Sequence, residues 1–199
     1  MAYPTVSAPY GLKPINLIGG QVFAGATRQL KIASAYGANL LNGDVVKIIN
    51  DGTIEKDTGT ATATPVGVFL GCTYTDPSLG YTLFSQYWPT GTVASDAMAY
   101  ISDDPDALYK VVVTAAGTST VSSVARTAIG NNSALIQGTG STVTGDSAVS
   151  ISATTATTNT LPIRIIDVVP DTATATDTFV EVIVKWNFGM HQYENATGV

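Results

Sequence analysis

The stretch "NGDVVKIINDGTIEK", residues 42–56, carries the clearest fold signal in the chain. Two short runs of apolar residues flank a segment of Asn, Asp and Gly, which is typical of a β-hairpin. Two turns fit this hairpin. One has the two residues Asp51 and Gly52 in the loop, and the other adds Asn50 and places Gly52 in the left-handed conformation.

Cross-strand pairing distinguishes the two turns. The shorter turn places Lys47 opposite Lys56, whereas the longer turn pairs Lys47 with Glu55 and Ile48 with Ile54. Opposed side chains contribute roughly 0.2–1 kcal/mol per pair, and like charges in this position destabilise the sheet. The sequence therefore predicts the longer turn, with a bulge at Gly52.

A second strand is predicted in "TPVGVFLGCTYTD", residues 64–76, which contains the only cysteine of the chain. Strict alternation places Cys72 on one face, while the glycines and Phe69 lie on the other. The residues expected on the Cys72 face are Val66, Val68, Leu70, Cys72 and Tyr74. This pattern predicts an inert, buried thiol, and the glycines on the opposite face would permit a bend or a close backbone approach.

Further β-prone runs follow, and they define the fold class. The segment "LPIRIIDVV" (161–169) is expected to be buried on both faces, and "TFVEVIVKWNF" (178–188) alternates between an apolar and a polar face. A single helical turn capped by Asp104 is predicted in "DDPDALY", and a short helix ending at Gly130 fits "SSVARTAIG". We predict an all-β protein, a β-barrel or sandwich of many short strands with an extended N-terminal arm and at most short helices.

Three prolines near the start of the chain favour an extended arm over residues 1–18. The arm contains Tyr3, Val6, Tyr10 and Leu12, and such apolar content predicts docking onto the chain's own body or onto a neighbour. Residues 19–199 are expected to form one β domain, which can divide into two packed sub-parts, 19–114 and 115–199.

The composition limits the possible partners. Of the 199 residues, 45% are hydrophobic but only 12% are charged, and a surface this poor in charge favours contact with other protein. The net charge is −6 and the nine basic residues are scattered, which argues against binding to nucleic acid or to an anionic membrane. Without a basic leader or a long apolar run, we expect a soluble protein made in the cytoplasm.

Few residues could carry chemistry. With one cysteine and one histidine, the chain cannot build a zinc site from soft ligands, and a Cys72–His191 hydrolase would place its base in a tail, where a surface histidine is the simpler reading. The acidic residues Asp96, Asp103, Asp104 and Asp106 could ligate calcium, although helix capping also explains Asp104 and Asp106. We expect no enzyme activity, no metal and no cofactor.

An aromatic group remains at residues 81–88. Tyr81, Phe84, Tyr87 and Trp88 could form a protein contact or a platform for sugars. Core packing fits Phe84 at least as well as a surface role. Trp88, at the end of a strand before a proline, is the better candidate for contact.

Several segments resemble small virion structural proteins of tailed phages, particularly those of marine and cyanobacterial hosts. The segments are "YGLKPINLIGGQVFAGATRQLKIASAYGANLLNGDVVKI", "TPVGVFLGCTYTDP", "FSQYWPTGT", "SDDPDALYKV" and the C-terminal "VEVIVKWNFGMHQYENATGV". The run "GDVVKI…DGTIEK…PVGVFLG" is also similar to the hairpin-and-strand core of phage head decoration proteins. The resemblance is weakest over residues 115–159.

The resemblance implies a capsid cement or decoration protein on the outer face of the virion. Its partners would be the major capsid protein and further copies of itself, as a trimer or else a dimer. The expected contact residues are Tyr3, Val6, Tyr10, Leu12 and Trp88. A tail or receptor-binding protein that recognises host glycans through Tyr87 and Trp88 is the alternative.

Overall fold

The computed structural model describes residues 6–175 and 177–199, so Tyr3 lies outside the described residues. Within these ranges the protein is all-β, with 42% of residues in strands and no α-helix, which confirms the predicted fold class. The strands are β1 (Lys13–Leu17), β2 (Arg28–Lys31), β3 (Val45–Ile48), β4 (Ile54–Lys56), β5 (Gly67–Thr75), β6 (Thr82–Ser85), β7 (Met98–Ser102), β8 (Ala107–Thr114), β9 (Val124–Ala125), β10 (Asn132–Ile136), β11 (Ser150–Ala156), β12 (Ile163–Val168), β13 (Ala173–Ala175), β14 (Thr178–Phe179) and β15 (Glu181–Trp186).

Five strands close into a β-barrel in the order β8, β11, β10, β12 and β15, and β15 returns to β8. The β8–β11 pair is parallel and the other pairs are antiparallel. Apolar side chains from all five strands fill the interior, as expected for so small a barrel. Tyr109 and Trp186 are the largest of them, with ring centroids 5.5 Å apart.

The N-terminal arm belongs to this barrel. Strand β1 pairs antiparallel with the first half of β8, and β11 pairs with the last residues of β8. Both lie on the same edge of β8, because β15 pairs with the other edge. Leu12, at the entry to β1, is completely buried in the barrel core. From residue 10 onward the arm therefore docks on its own chain.

A second sheet runs in the order β2, β7, β5, β3 and β4, with β6 added to β5. Its core is a separate apolar cluster built around Phe69, Trp88 and Ile101. The remaining elements within the described residues are two short 3₁₀ turns (Arg126–Ala128 and Pro170–Thr172) and a small sheet of β13, β14 and β9. Along the chain, β2 to β7 belong to this second sheet, whereas β1 before them and β8 after them belong to the sheet of the barrel.

The hairpin β3–β4 has the register that the sequence predicts. Lys47 lies opposite Glu55 and Ile48 lies opposite Ile54, with Lys47 Nζ 3.0 Å from Glu55 Oε1. Gly52 has a φ of 77°, and its N–H donates to the Ile49 carbonyl at 2.8 Å. The like-charge register with Lys56 is avoided, as expected from the pairing energies.

Strand β5 departs from strict alternation. The register against β7 shifts between Phe69 and Gly71, so Leu70 is an extra residue in the strand. Because of this bulge, Cys72 shares its core with Phe69, whereas Val68 packs into the barrel core. The predicted set of five residues on one face is therefore wrong, although Cys72 is buried as expected.

Four smaller expectations need correction. In β12, Arg164 and Asp167 are exposed and the register shifts before Asp167, so this strand is not buried on both faces. Strand β15 buries Val182, Val184 and Trp186 as predicted, but it ends there and leaves Phe188 83% exposed. The other two local predictions, at Asp104 and at Gly130, concerned short helices.

The residues after Asp104 form a β-turn and not a helical turn. The Ala107 N–H donates to the Asp104 carbonyl at 3.1 Å, and the Asp104 side chain accepts from the Asp106 N–H at 2.8 Å. This turn carries the chain from the second sheet into the barrel. Before Gly130 a 3₁₀ turn of three residues replaces the predicted short helix.

Candidate interaction surface

Strand β6 begins at a hairpin that Asp76 closes. The Asp76 carboxylate accepts from the backbone N–H groups of Ser78 at 2.8 Å and Leu79 at 2.9 Å. The Asp76 N–H donates to the Tyr81 carbonyl at 3.1 Å, and Gly80 supplies the positive φ that this tight loop requires. The hairpin thus holds β6 in register along β5.

The outer edge of β6 has no strand partner among the described residues, since β6 pairs with β5 alone. In an antiparallel ladder hydrogen-bonded and non-hydrogen-bonded pairs alternate. Because Asp76 and Tyr81 form a hydrogen-bonded pair, the backbone groups of Thr82 and Phe84 point away from β5. They form an open edge of the kind that can accept another strand.

The edge lies in a segment without charge. Residues 77–95 contain no Asp, Glu, Lys, Arg or His, and we call the surface they form the neutral edge. Four large apolar side chains of the neutral edge are exposed: Leu79 (55%), Tyr81 (55%), Phe84 (79%) and Val93 (63%). Strand edges in monomers are usually protected by lysine, proline or a bulge, and β6 has none of these.

A shallow hollow of about 370 Å³ lies beside Phe84. Gly71 lies opposite Tyr100, and because it has no side chain, space remains between Phe84 and Tyr100. Leu70 and Thr27 complete the lining together with Cys72 and Ser85. An exposed aromatic side chain next to an apolar hollow is a feature typical of protein contacts.

Trp88 does not lie on this surface, which corrects the expectation that it contacts a partner. Its side chain is completely buried and packs edge-on against Tyr74, with ring centroids 5.2 Å apart. The backbone of Trp88 bonds reciprocally with Leu40, at 2.8 and 3.2 Å, and this bridge turns the indole into the core. Phe84 occupies the exposed position expected for Trp88, and Trp88 contributes nothing to a sugar platform.

Two of the predicted arm contacts are also internal. Leu12 is fully buried, so it cannot reach a partner while the protein is folded. The Tyr10 hydroxyl donates to Glu181, and Lys110 Nζ lies 5.6 Å from the centre of the Tyr10 ring. Burial, reinforced by Glu181, raises the pKa of Tyr10 well above its ordinary value.

Val6 is half-buried and borders a hollow of about 700 Å³. The arm forms one wall of this hollow, from Val6 to Tyr10, and the loop that includes Thr139 and Asp146 forms the other. Most of the lining residues other than Val6, Ala8 and Pro9 are small and polar. Among the four predicted contact residues that the structure describes, Leu12 and Trp88 are completely buried, whereas Val6 and Tyr10 line this hollow.

Cys72 and His191 are both buried and contact different partners, so they do not form the catalytic pair considered above. Cys72 is 1% exposed, its thiol contacts the Tyr87 carbonyl at 3.5 Å, and burial raises its pKa to about 12. His191 is not the surface residue expected but is completely buried, and its Nδ1 accepts from the Tyr193 N–H at 3.1 Å. Desolvation lowers the pKa of His191, which favours the neutral imidazole in the folded protein.

The acidic residues of the calcium hypothesis turn to separate partners. Asp96 accepts from Thr75, and Asp104 accepts from the Asp106 N–H at 2.8 Å. Asp103 pairs with Arg28 at 2.9 Å, and the Asp106 carboxylate pairs with Lys185. The described residues contain no group of three or more His, Cys, Asp or Glu side chains arranged to hold a metal ion.

The sequence reasoning missed the neutral edge, although two signals for it were present. One is the absence of charge over residues 77–95, and the other is the alternation of residues 82–85, which places Leu83 inward and Phe84 outward. The sequence indicates the aromatic group at residues 81–88, but it does not show that Phe84 is exposed and Trp88 buried.

Comparison of the chain with family models, with curated proteins and with solved structures gives no match. Among the described residues, none of the helical segments has the length and apolar character needed to cross a membrane.

Proposed function

We propose that this chain is a viral structural protein, a cement or decoration protein that binds the outer face of a tailed-phage head. The observation that carries the proposal is the neutral edge, an open strand with exposed apolar side chains and no charge. The resemblance of the hairpin and of β5 to phage decoration proteins supports the same function. Low charge over the whole chain is also suited to a protein that works in contact with other protein.

The proposed mechanism uses binding energy alone. Strand β6 offers backbone donors and acceptors to an extended segment of the capsid protein, and Phe84 supplies an apolar anchor. Full burial of such a side chain contributes roughly 1.5–3 kcal/mol. A contact that bridges two capsid subunits only in the expanded shell favours that state through differential affinity.

Repetition over the shell makes modest contacts effective. Each copy needs only a moderate affinity if many copies act together and if copies also associate with one another. A trimer, or else a dimer, is the oligomer that the resemblance implies. Neither nucleic acid nor a membrane is a proposed partner, given a net charge of −6.

The test compares Phe84→Asp with the matched variant Phe188→Asp. Both phenylalanines are strongly exposed, at 79% and 83%, but Phe188 follows β15 on the barrel and lies outside the neutral edge. Each purified variant is added to expanded heads that lack the protein, and occupancy is measured by gel densitometry. We expect Phe84→Asp to lose occupancy and Phe188→Asp to retain it.

Copy number tests the function itself. A cement protein is present in numbers comparable to the capsid protein, whereas a tail or receptor-binding protein is present in a few copies at one vertex. A low copy number, or density for this protein on the tail in an electron-microscopy map of the particle, would refute the proposal.

A further inference from the structure

A lysine, an asparagine and an aspartate meet where the first strand crosses the start of the second sheet. Lys13 Nζ lies 2.6 Å from Asn42 Oδ1 and 3.1 Å from Asp146 Oδ1. The three residues come from β1, from the loop before β3 and from the loop before β11. An amine in contact with a carboxamide and a carboxylate provides the groups needed for transamidation, in which the amine replaces the nitrogen of the carboxamide.

The backbones that carry the amine and the amide are closely packed. The Leu12 N–H donates to the Gly43 carbonyl at 3.0 Å, so the neighbours of Lys13 and Asn42 are bonded to each other. At this crossing a Cβ added to Gly11 would lie 2.8 Å from Gly43 Cα, and both glycines have positive φ. Only residues without side chains allow the two segments to approach so closely.

Hydrogen bonds fix both the backbone and the side chain of Asn42. Its backbone bonds to Gly145 at 2.9 Å and to Ser147 at 3.0 Å, and its Nδ2 donates to the Leu70 carbonyl at 2.7 Å. The amide carbon is one C=O bond of about 1.2 Å from Oδ1. Nζ therefore needs only a short approach to reach the roughly 3–3.5 Å separation of reacting atoms.

We propose that Lys13 and Asn42 form an intramolecular isopeptide bond, with Asp146 as the group that moves protons. Asp146 accepts a proton from the Lys13 ammonium, and the freed lone pair on Nζ attacks Cγ of Asn42. The Nζ–Cγ bond forms, the Cγ–Nδ2 bond breaks with its electron pair, and both protons lost by the amine end on the departing nitrogen. Ammonium leaves, the Asp146 carboxylate is regenerated, and no oxidant or co-substrate is consumed.

The surroundings favour this product over the usual reaction of an Asn-Gly sequence, in which the glycine nitrogen closes a succinimide. The Gly43 N–H donates to the Phe69 carbonyl at 2.8 Å, which directs that nitrogen away from the Asn42 side chain. Lys13 is 33% exposed on its side chain, so the released ammonium has a path to solvent. The bond would join the barrel strand β1 to the start of the second sheet. It does not depend on the proposed function.

The test is the mass of the intact full-length chain, measured before and after prolonged incubation of the folded protein. We expect a species lighter than the sequence mass by one ammonia, about 17 Da. Chymotrypsin cleaves between the two residues, at Leu17, Tyr36 and Leu41, and should release a branched peptide that joins Lys13 to Asn42. That peptide decides the question in the wild-type protein, whether or not any variant folds.

Variants then assign the roles. Lys13→Arg and Asn42→Ala should abolish the branched peptide, and Asp146→Ala should slow its formation. Lys110→Arg is the matched control, because Lys110 lies opposite Lys13 in the sheet but pairs with Glu181 at 3.3 Å. An unchanged wild-type mass would overturn the proposal. So would a loss of ammonia that persists in Lys13→Arg, since that identifies a succinimide.

Discussion

Truncation of Leu12 to alanine is expected to destabilise the whole protein, because the arm residue is part of the barrel core. Leu12 is completely buried among side chains of the closed barrel. Substitutions of this kind cost about 2–5 kcal/mol, from lost transfer energy and from the cavity left behind. In a protein of 199 residues each kcal/mol lowers Tm by about 2–4 °C, so we expect a decrease of roughly 4–20 °C.

The assay is equilibrium unfolding in urea, followed by tryptophan fluorescence and by circular dichroism. The midpoint should fall while the slope against denaturant stays unchanged, which shows that the native fold is retained. Phe84→Ala is the control, because that side chain is 79% exposed and surface substitutions usually change stability by less than about 0.5 kcal/mol. A Leu12→Ala protein as stable as this control would refute the assignment of the arm to the core.

Three further predictions concern buried groups. Cys72, with a pKa raised to about 12, should react with a thiol reagent only after unfolding, and Cys72→Ala should cost about 1 kcal/mol of packing without loss of capsid binding; rapid labelling of the native protein would contradict this. Burial lowers the pKa of His191, so the unfolded chain binds the proton more tightly, and stability should fall as the pH drops below the ordinary value of about 6.5. A His191→Asn variant should lose that part of the acid sensitivity in thermal melts at successive pH values, and an unchanged profile would refute it. In Gly67→Ala, a Cβ would lie 2.3 Å from the Ser102 carbonyl oxygen, so we expect the free energy of unfolding in urea to fall by about 1–3 kcal/mol. An unchanged free energy of unfolding would show that β5 can move away from β7.

Local pairing rules account for what the sequence predicted well. The turn at Gly52 follows from one like-charge pair avoided and one ion pair gained, both within residues 47–56. The burial of Cys72 follows from its position in a run of apolar and small residues. Such features depend on neighbours a few residues away, which the sequence displays directly.

Contacts between distant segments account for what the sequence could not predict. The bulge at Leu70 and the bridge between Leu40 and Trp88 change which side chains face inward. Neither feature can be detected in the alternation of apolar and polar residues along the sequence. His191 is buried because the Gln192 side chain bonds to both backbone groups of Ile48, at 2.8 and 3.2 Å. The closure of the barrel likewise depends on the pairing of β8 with β15, which are far apart in the chain.

The most direct test of the proposed function is the occupancy of expanded heads by Phe84→Asp beside Phe188→Asp, with the wild-type protein as reference. We predict that wild type and Phe188→Asp bind in numbers comparable to the capsid protein and raise the temperature of genome release. Phe84→Asp, still folded by circular dichroism, should do neither. Equal occupancy by the two variants would contradict a role for the neutral edge, and failure of the wild-type protein to bind heads would contradict the function itself.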